Sequence, residues 1–196
     1  YKEEGRLKAL VVTGCLAQRY KDEIQTEIPE VDAIIGTTAI DTIVETVESV
    51  LAGKSENHLE DIDRACVYGV PRSVTTGGHF AYLKIAEGCN NCCTYCAIPA
   101  IRGPYRSVPM EDVLEEAHWL AEHHVTELVV IAQDTTRYGC DLYGKSRLPE
   151  LLRELCHIDG IRWVRVLYCY PERITDELLD VLAEEPHMVP LSLIHI

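Results

Sequence analysis

Basic side chains are scarce in this sequence: 18 lysines and arginines stand against 32 aspartates and glutamates, a formal charge of -14. That balance disfavours a polyanionic partner held through phosphate contacts, and nucleic acid is therefore not the expected direct substrate. A basic partner would be steered in, although acidity of this size also serves solubility alone. Long apolar runs are missing as well. No window approaches the roughly 20 apolar residues of a membrane helix, and no basic start leads into an apolar stretch. The expected compartment is the cytoplasm, with no membrane partner.

What is present fits a folded chain. The 196 residues are 47% hydrophobic, enough for one ordinary core or two small ones. The chain opens on Tyr1 and closes in the apolar run MVPLSLIHI, so both ends are expected to be cut. Cysteine is abundant, nine in all, and four of them fall within GCNNCCTYC, residues 88–96. In a reducing compartment such clustering points to metal ligands or redox groups rather than disulfides, and an odd count agrees.

Strand and helix patterns alternate along the chain. RLKALVVTG (6–14) is a β-branched run, LAQRYKDEIQTEI has helical spacing, VDAIIG (31–36) reads as a buried strand, and TAIDTIVETVESVLAG as an amphipathic helix closed by Gly53. Residues 1–53 are therefore expected to belong to an α/β domain. Residues 54–78 turn polar and glycine-rich and read as a linker with one short strand near Ala65 to Tyr68. A second α/β series spans 79–187: strands at 81–88, 127–133 and 161–168, and helices at 109–124, 148–158 and 175–185. In the first of these helices Ser107 is a candidate cap, and Val113, Leu114, Ala117, Leu120 and Ala121 share one face. Three strand-helix units in a row fit an opened (β/α) barrel or a doubly wound sheet, and both gather ligands at the C-terminal ends of the strands.

The cysteine loop follows directly on the first strand of that series. Cys89, Cys93 and Cys96 form C-x3-C-x2-C, while inclusion of Cys92 gives two abutting C-x2-C pairs. Zinc favours two pairs separated by a dozen or more residues, so that each knuckle can fold. Three thiolates on a short loop suit a cubane iron-sulfur cluster better. Three ligands on four irons leave one iron open for a small molecule.

The C-x3-C-x2-C spacing, Tyr95 just before the third cysteine, and the position after the first strand together resemble the radical S-adenosylmethionine superfamily. The resemblance implies a 4Fe-4S cluster on Cys89, Cys93 and Cys96. It also implies S-adenosylmethionine chelated to the open iron through its amino and carboxylate groups, and hydrogen abstraction by the 5′-deoxyadenosyl radical. Further along, GCNNCCTYCAIPAIRGPYRS, IAQDTTRYGCDLYG and WVRVLYCYPERITDELLDVLAEEP are similar to the methylthiotransferases, and within them to the RimO family, which modifies a ribosomal protein. The tRNA-modifying, MiaB-like branch tends to carry Gly-Gln-Asn where this chain has Ala132-Gln133-Asp134. VVTGCLAQRY and IPEVDAIIGT resemble the end of the N-terminal methylthiotransferase domain, where Cys15 matches the last of three ligands to a second 4Fe-4S cluster.

The fold implied is α/β: the C-terminal part of a methylthiotransferase domain (1–53), then the first half of a radical SAM (β/α) partial barrel (79–187), with an atypical tail at 188–196. The activity implied is methylthiolation of the β-carbon of an aspartate in a small-subunit ribosomal protein, with flavodoxin or ferredoxin as electron donor and little turnover from the fragment alone. The rival readings are the tRNA-modifying branch and a non-catalytic iron-sulfur or zinc module. By position, Gln133 and Tyr95 are the cofactor-binding candidates, Gln133 through an amide that accepts from the cofactor's amino group. Arg102, Arg106 and Arg137 are candidate carboxylate or substrate anchors, while Asp134, Thr135 and Thr136 suffice as turn formers. Cys92 stands where the family usually has a basic residue, and Val108 where it often has arginine.

Overall fold

The computed structural model describes residues 4–64 and 72–189. The short strand expected near Ala65 to Tyr68 lies outside the described residues, as does the end of the tail from 190 onward. The chain divides into two compact units, one of residues 1–67 with 90–104, the other of 68–89 with 105–196. These bounds differ from the segments drawn on the sequence, above all because residues 90–104 group with the N-terminal part.

The first unit is built on two parallel strands, β1 (Val11–Thr13) and β2 (Ala33–Ile35), with Val11 opposite Ala33. β2 is buried along its whole length, as its unbroken apolar run requires. Between them lie α1 (Cys15–Arg19) and α2 (Lys21–Glu27), and α3 (Ile43–Leu51) follows β2. The helix expected after β1 is thus broken at Tyr20, whose ψ of 30° falls outside the helical range. Residues 54–64 are no free linker. His58 bridges Ile35 in parallel, Asn57 Oδ1 accepts from the Ile34 N–H (2.9 Å), and Arg64 pairs with Asp41 (2.8 Å). A polar composition hid these contacts because each joins residues more than twenty positions apart. The last element of the unit is α4 (Ile98–Arg102), which packs against α1.

The second unit carries a three-stranded parallel sheet of β3 (Phe80–Lys84), β6 (Glu127–Ile131) and β7 (Trp163–Val166), in that order. Neighbours in space are neighbours in sequence, the winding of a (β/α) barrel series rather than of a sheet whose order reverses. The pairing continues past the third unit, where Met188 bridges Val164 in parallel. A two-stranded antiparallel pair, β4 (Ala86–Glu87) with β5 (Arg106–Ser107), follows β3.

The crossovers are α5 (Met110–Glu122) between β3 and β6, α6 (Cys140–Tyr143) and α7 (Leu148–Cys156) between β6 and β7, and α8 (Asp176–Glu184) after β7. On α5 the residues Met110, Val113, Ala117 and Leu120 are buried, with Leu114 and Ala121 packed at the edge of the core, which is the face expected from their spacing. Leu83, Leu128, Val130, Val164 and Val166 fill the sheet side of that core. Ser107 does not cap α5. It lies in β5, where its Oγ donates to Asp141 Oδ1 (2.6 Å) and accepts from the Gly139 N–H (2.9 Å), while Pro109 precedes α5 and the Met110 N–H donates to the Tyr143 hydroxyl (3.1 Å).

Burial within this core has a chemical consequence for Cys156. Its thiol is pushed up to about 12, first by burial and then by the Glu185 carboxylate. The raised value favours the protonated folded state, so the stability it contributes is complete below the ordinary thiol range and is lost as pH rises toward 12. Brief alkylation of the native protein at pH 8 is expected to label the exposed Cys92 and Cys140 and to spare Cys156. Mass spectrometry of the digested product checks this, and rapid labelling of Cys156 would contradict the packing described.

Candidate active site

β4 leads the chain into the cysteine segment. Glu87 is buried, its Oε2 pairs with Lys84 Nζ (2.8 Å), and its Oε1 accepts from the Gly88 N–H (3.1 Å), so one carboxylate fixes the backbone immediately before Cys89. The β4–β5 pairing sets Glu87 opposite Arg106 and thereby ties together the two ends of the segment between them. Cys89 is buried in the second unit, whereas Cys92, Cys93 and Cys96 belong to the first.

Cys93 and Cys96 share a tight turn in which the Cys96 N–H donates to the Cys93 carbonyl (3.0 Å). The Ile98 N–H then donates to Cys96 Sγ (3.5 Å), which fixes the position of that sulfur. Both thiols are half-buried, Cys92 is exposed, and the Tyr95 ring is 86% exposed. Among the described residues no three His, Cys, Asp or Glu side chains gather closely enough to hold a single metal ion. A cubane asks for less convergence, because each thiolate binds a different iron.

Cys15 opens α1 directly after Gly14, whose φ of 111° and ψ of -170° lie in a region open essentially to glycine alone. That turn sets a half-buried, free thiol at the start of α1, the helix against which α4 packs.

At the C-terminal end of β6 the structure shows more order than turn-forming residues alone would need. Asp134 is fully buried; its Oδ2 accepts from Arg173 Nη1 (2.7 Å) and its Oδ1 from Thr136 Oγ1. Thr135 is buried too, with its N–H donating to the Tyr168 carbonyl (3.1 Å) and its Oγ1 to the Leu167 carbonyl (2.8 Å). Tyr168 adopts a φ of 62°, unusual for a tyrosine, where it meets this turn. The Asp134–Arg173 pair spans 39 positions and has no local signature.

Two residues flanking this rigid turn carry buried polar atoms with no hydrogen-bond partner, Gln133 Oε1 and Arg137 Nε. A buried acceptor left open at the C-terminal end of a parallel strand suits a ligand that donates there, such as an ammonium group. The Arg137 guanidinium lies 5.9 Å from the centre of the Tyr105 ring. Burial, followed by the Asp134 and Asp141 carboxylates, raises the Tyr105 phenol far above its ordinary range, so that the ring beneath Arg137 is neutral.

Comparison with known proteins agrees with this reading of the fold. Residues 83–196 match the radical SAM superfamily. A relative from Lachnoclostridium phytofermentans, named ribosomal protein uS12 methylthiotransferase RimO, is 60% identical over 94% of this chain. A relative of the same name from Clostridioides difficile is 55% identical over 92% of it. The chain spans 42% and 41% of the lengths of those two relatives. Among solved structures, the radical S-adenosylmethionine methyltransferase TsrM from Kitasatospora setae, bound to tryptophan and the cofactor analogue aza-SAM, superposes with a TM-score of 0.61 at 16% identity, covering 92% of this chain and 40% of its own. At that identity the likeness concerns the fold alone. By the match over its second α/β series, this chain belongs to the radical SAM superfamily.

Proposed function

We propose that this chain is part of a radical SAM methylthiotransferase that modifies the β-carbon of an aspartate in the ribosomal protein uS12. The observation that carries the reading is the 60% identity to a protein of that name over 94% of the chain. The acidic charge of -14 adds support, since it suits a basic ribosomal protein better than tRNA.

Cys89, Cys93 and Cys96 are the proposed ligands of a 4Fe-4S cluster. Bound there, the cluster supplies the electron that cleaves S-adenosylmethionine and so initiates hydrogen abstraction at carbon. The chain's own residues position and shield. The Ile98 N–H holds the Cys96 sulfur in place, the Glu87 carboxylate fixes the backbone ahead of Cys89, and Gln133 Oε1 offers its open acceptor to the ammonium group of the cofactor. Tyr95, exposed beside the third cysteine, is the proposed neighbour of the adenine. Cys15 is the proposed ligand to a second cluster that is completed by residues outside this sequence. Flavodoxin or ferredoxin is the proposed electron donor.

Anaerobic reconstitution with iron and sulfide, followed by electron paramagnetic resonance with and without S-adenosylmethionine, tests the cluster. The expected result is a cluster signal that the cofactor perturbs. An indifferent signal would favour simple electron transfer, and stoichiometric zinc without iron would favour a structural module. The substrate is tested with the full-length enzyme against uS12 and tRNA: methylthio transfer to tRNA with uS12 untouched would overturn the proposal.

A further inference from the structure

The geometry points to Arg137 as the residue that binds the side-chain carboxylate of the target aspartate. In a chain with 32 acidic residues a guanidinium readily finds a counter-charge, and in this unit Arg147, Arg153, Arg165 and Arg173 each pair with a carboxylate. Arg137 does not: among the described residues it has no ion pair, and its Nε is buried without a hydrogen-bond partner. Arg162, also without an ion pair, is exposed, whereas Arg137 is half-buried. Its ring neighbour, Tyr105, offers a neutral π face and no negative charge.

The backbone that carries Arg137 is fixed. Its N–H donates to the Asp134 carbonyl (3.4 Å), and the preceding Thr136 carbonyl accepts from Ser146 Oγ (2.9 Å). With Asp134, Thr135 and Thr136 all buried, the arginine projects from a turn with little freedom to relax toward a partner elsewhere. A preorganised guanidinium without a counter-ion, following a parallel strand at its ligand-binding end, matches a planar carboxylate in charge and in hydrogen-bond geometry. The cofactor's own carboxylate has another partner, since the superfamily resemblance assigns it to the open iron. The remaining carboxylate in the proposed reaction is that of the aspartate, one bond from the carbon to be modified.

This inference rests on the aspartate-modifying reading, and the test separates the two. Full-length wild type, Arg137→Gln and Arg137→Lys enzymes are reconstituted and their affinities measured for uS12, for uS12 with the target aspartate replaced by asparagine, and for S-adenosylmethionine. For the glutamine variant the expected result is an approximately 30-fold weaker Kd for uS12, about 2 kcal/mol. Lysine should restore part of the loss, because it keeps the charge without the planar fork. Wild type should bind the asparagine form as weakly as the glutamine variant binds the aspartate form, and the two changes together should add little further. Unchanged cofactor affinity excludes a general disturbance of the fold. Loss of cofactor affinity with uS12 binding intact would overturn the assignment, as would additive losses in the cycle. Failure of wild type to bind uS12 at all would instead sink the functional reading beneath it.

Discussion

Alanine in place of Cys93 or Cys96 is expected to reduce iron incorporation at this loop to background and to remove cleavage of S-adenosylmethionine with it, whereas serine in place of Cys92 is expected to leave both intact. The asymmetry follows from the surroundings of the thiols. Cys93 and Cys96 are joined by a backbone hydrogen bond across one turn, and the sulfur of Cys96 already receives an N–H from Ile98. Cys92 is exposed, and its sulfur lies 4.0 Å from the Asn90 carbonyl. Iron and sulfide analysis of the anaerobically reconstituted protein reads the outcome, with the absorbance of the cluster as a second measure. Since none of the three thiols belongs to a hydrophobic core, the thermal melts of the unloaded variants should coincide with that of wild type. Loss of iron from the Cys92→Ser protein together with retention in Cys93→Ala would reverse the ligand assignment.

The parts of this fold that could be read in advance are those whose cause is local. The face of α5 is written in the spacing of Val113, Ala117 and Leu120, and the buried β6 in the unbroken run LVVI. Consecutive strand-helix units gave the parallel sheet, although only the structure distinguished sequential winding from a reversed order. What escaped the sequence is held by long-range polar contacts. Ser107 has the chemistry of a helix cap and the position of one, yet Asp141, 34 residues away, takes its hydroxyl. Residues 54–64 have the composition of a linker, but Asn57 and Arg64 anchor them to β2 and Asp41. At the candidate site the C-x3-C-x2-C spacing and Gln133 were legible from motif and strand position. Arg137 stood among three candidate arginines in the sequence; its buried Nε, a feature shared with Arg106, and its place on the buried turn beside Gln133 are visible only in the structure.

The Asp134–Arg173 pair leads to the largest expected effect on stability. Arg173→Ala leaves a fully buried carboxylate that keeps its hydrogen bond from Thr136 but loses its guanidinium, and removal of one partner of a buried ion pair typically costs about 3–5 kcal/mol. Arg173 is itself 36% exposed at the side chain, so water can reach part of the space it vacates, and the loss is expected at the lower end of that range, about 3 kcal/mol. Denaturant unfolding of wild type, Arg173→Ala and the Asp134→Asn/Arg173→Ala pair measures it. The double variant should recover part of the loss, because a neutral amide is cheaper to bury than an unpaired charge. A single-variant loss below about 1 kcal/mol would place the pair with ordinary surface ion pairs and contradict the burial. The effect should not stop at stability. Asp134 anchors the turn between Gln133 and Arg137, and Arg173 ties that turn to the segment after β7, where Thr135 also bonds the Leu167 and Tyr168 carbonyls. In the full-length enzyme, loosening that tie should weaken the binding of uS12 and of S-adenosylmethionine together. A residue that orders the whole turn is distinguished in this way from Arg137, whose replacement is expected to weaken uS12 binding alone.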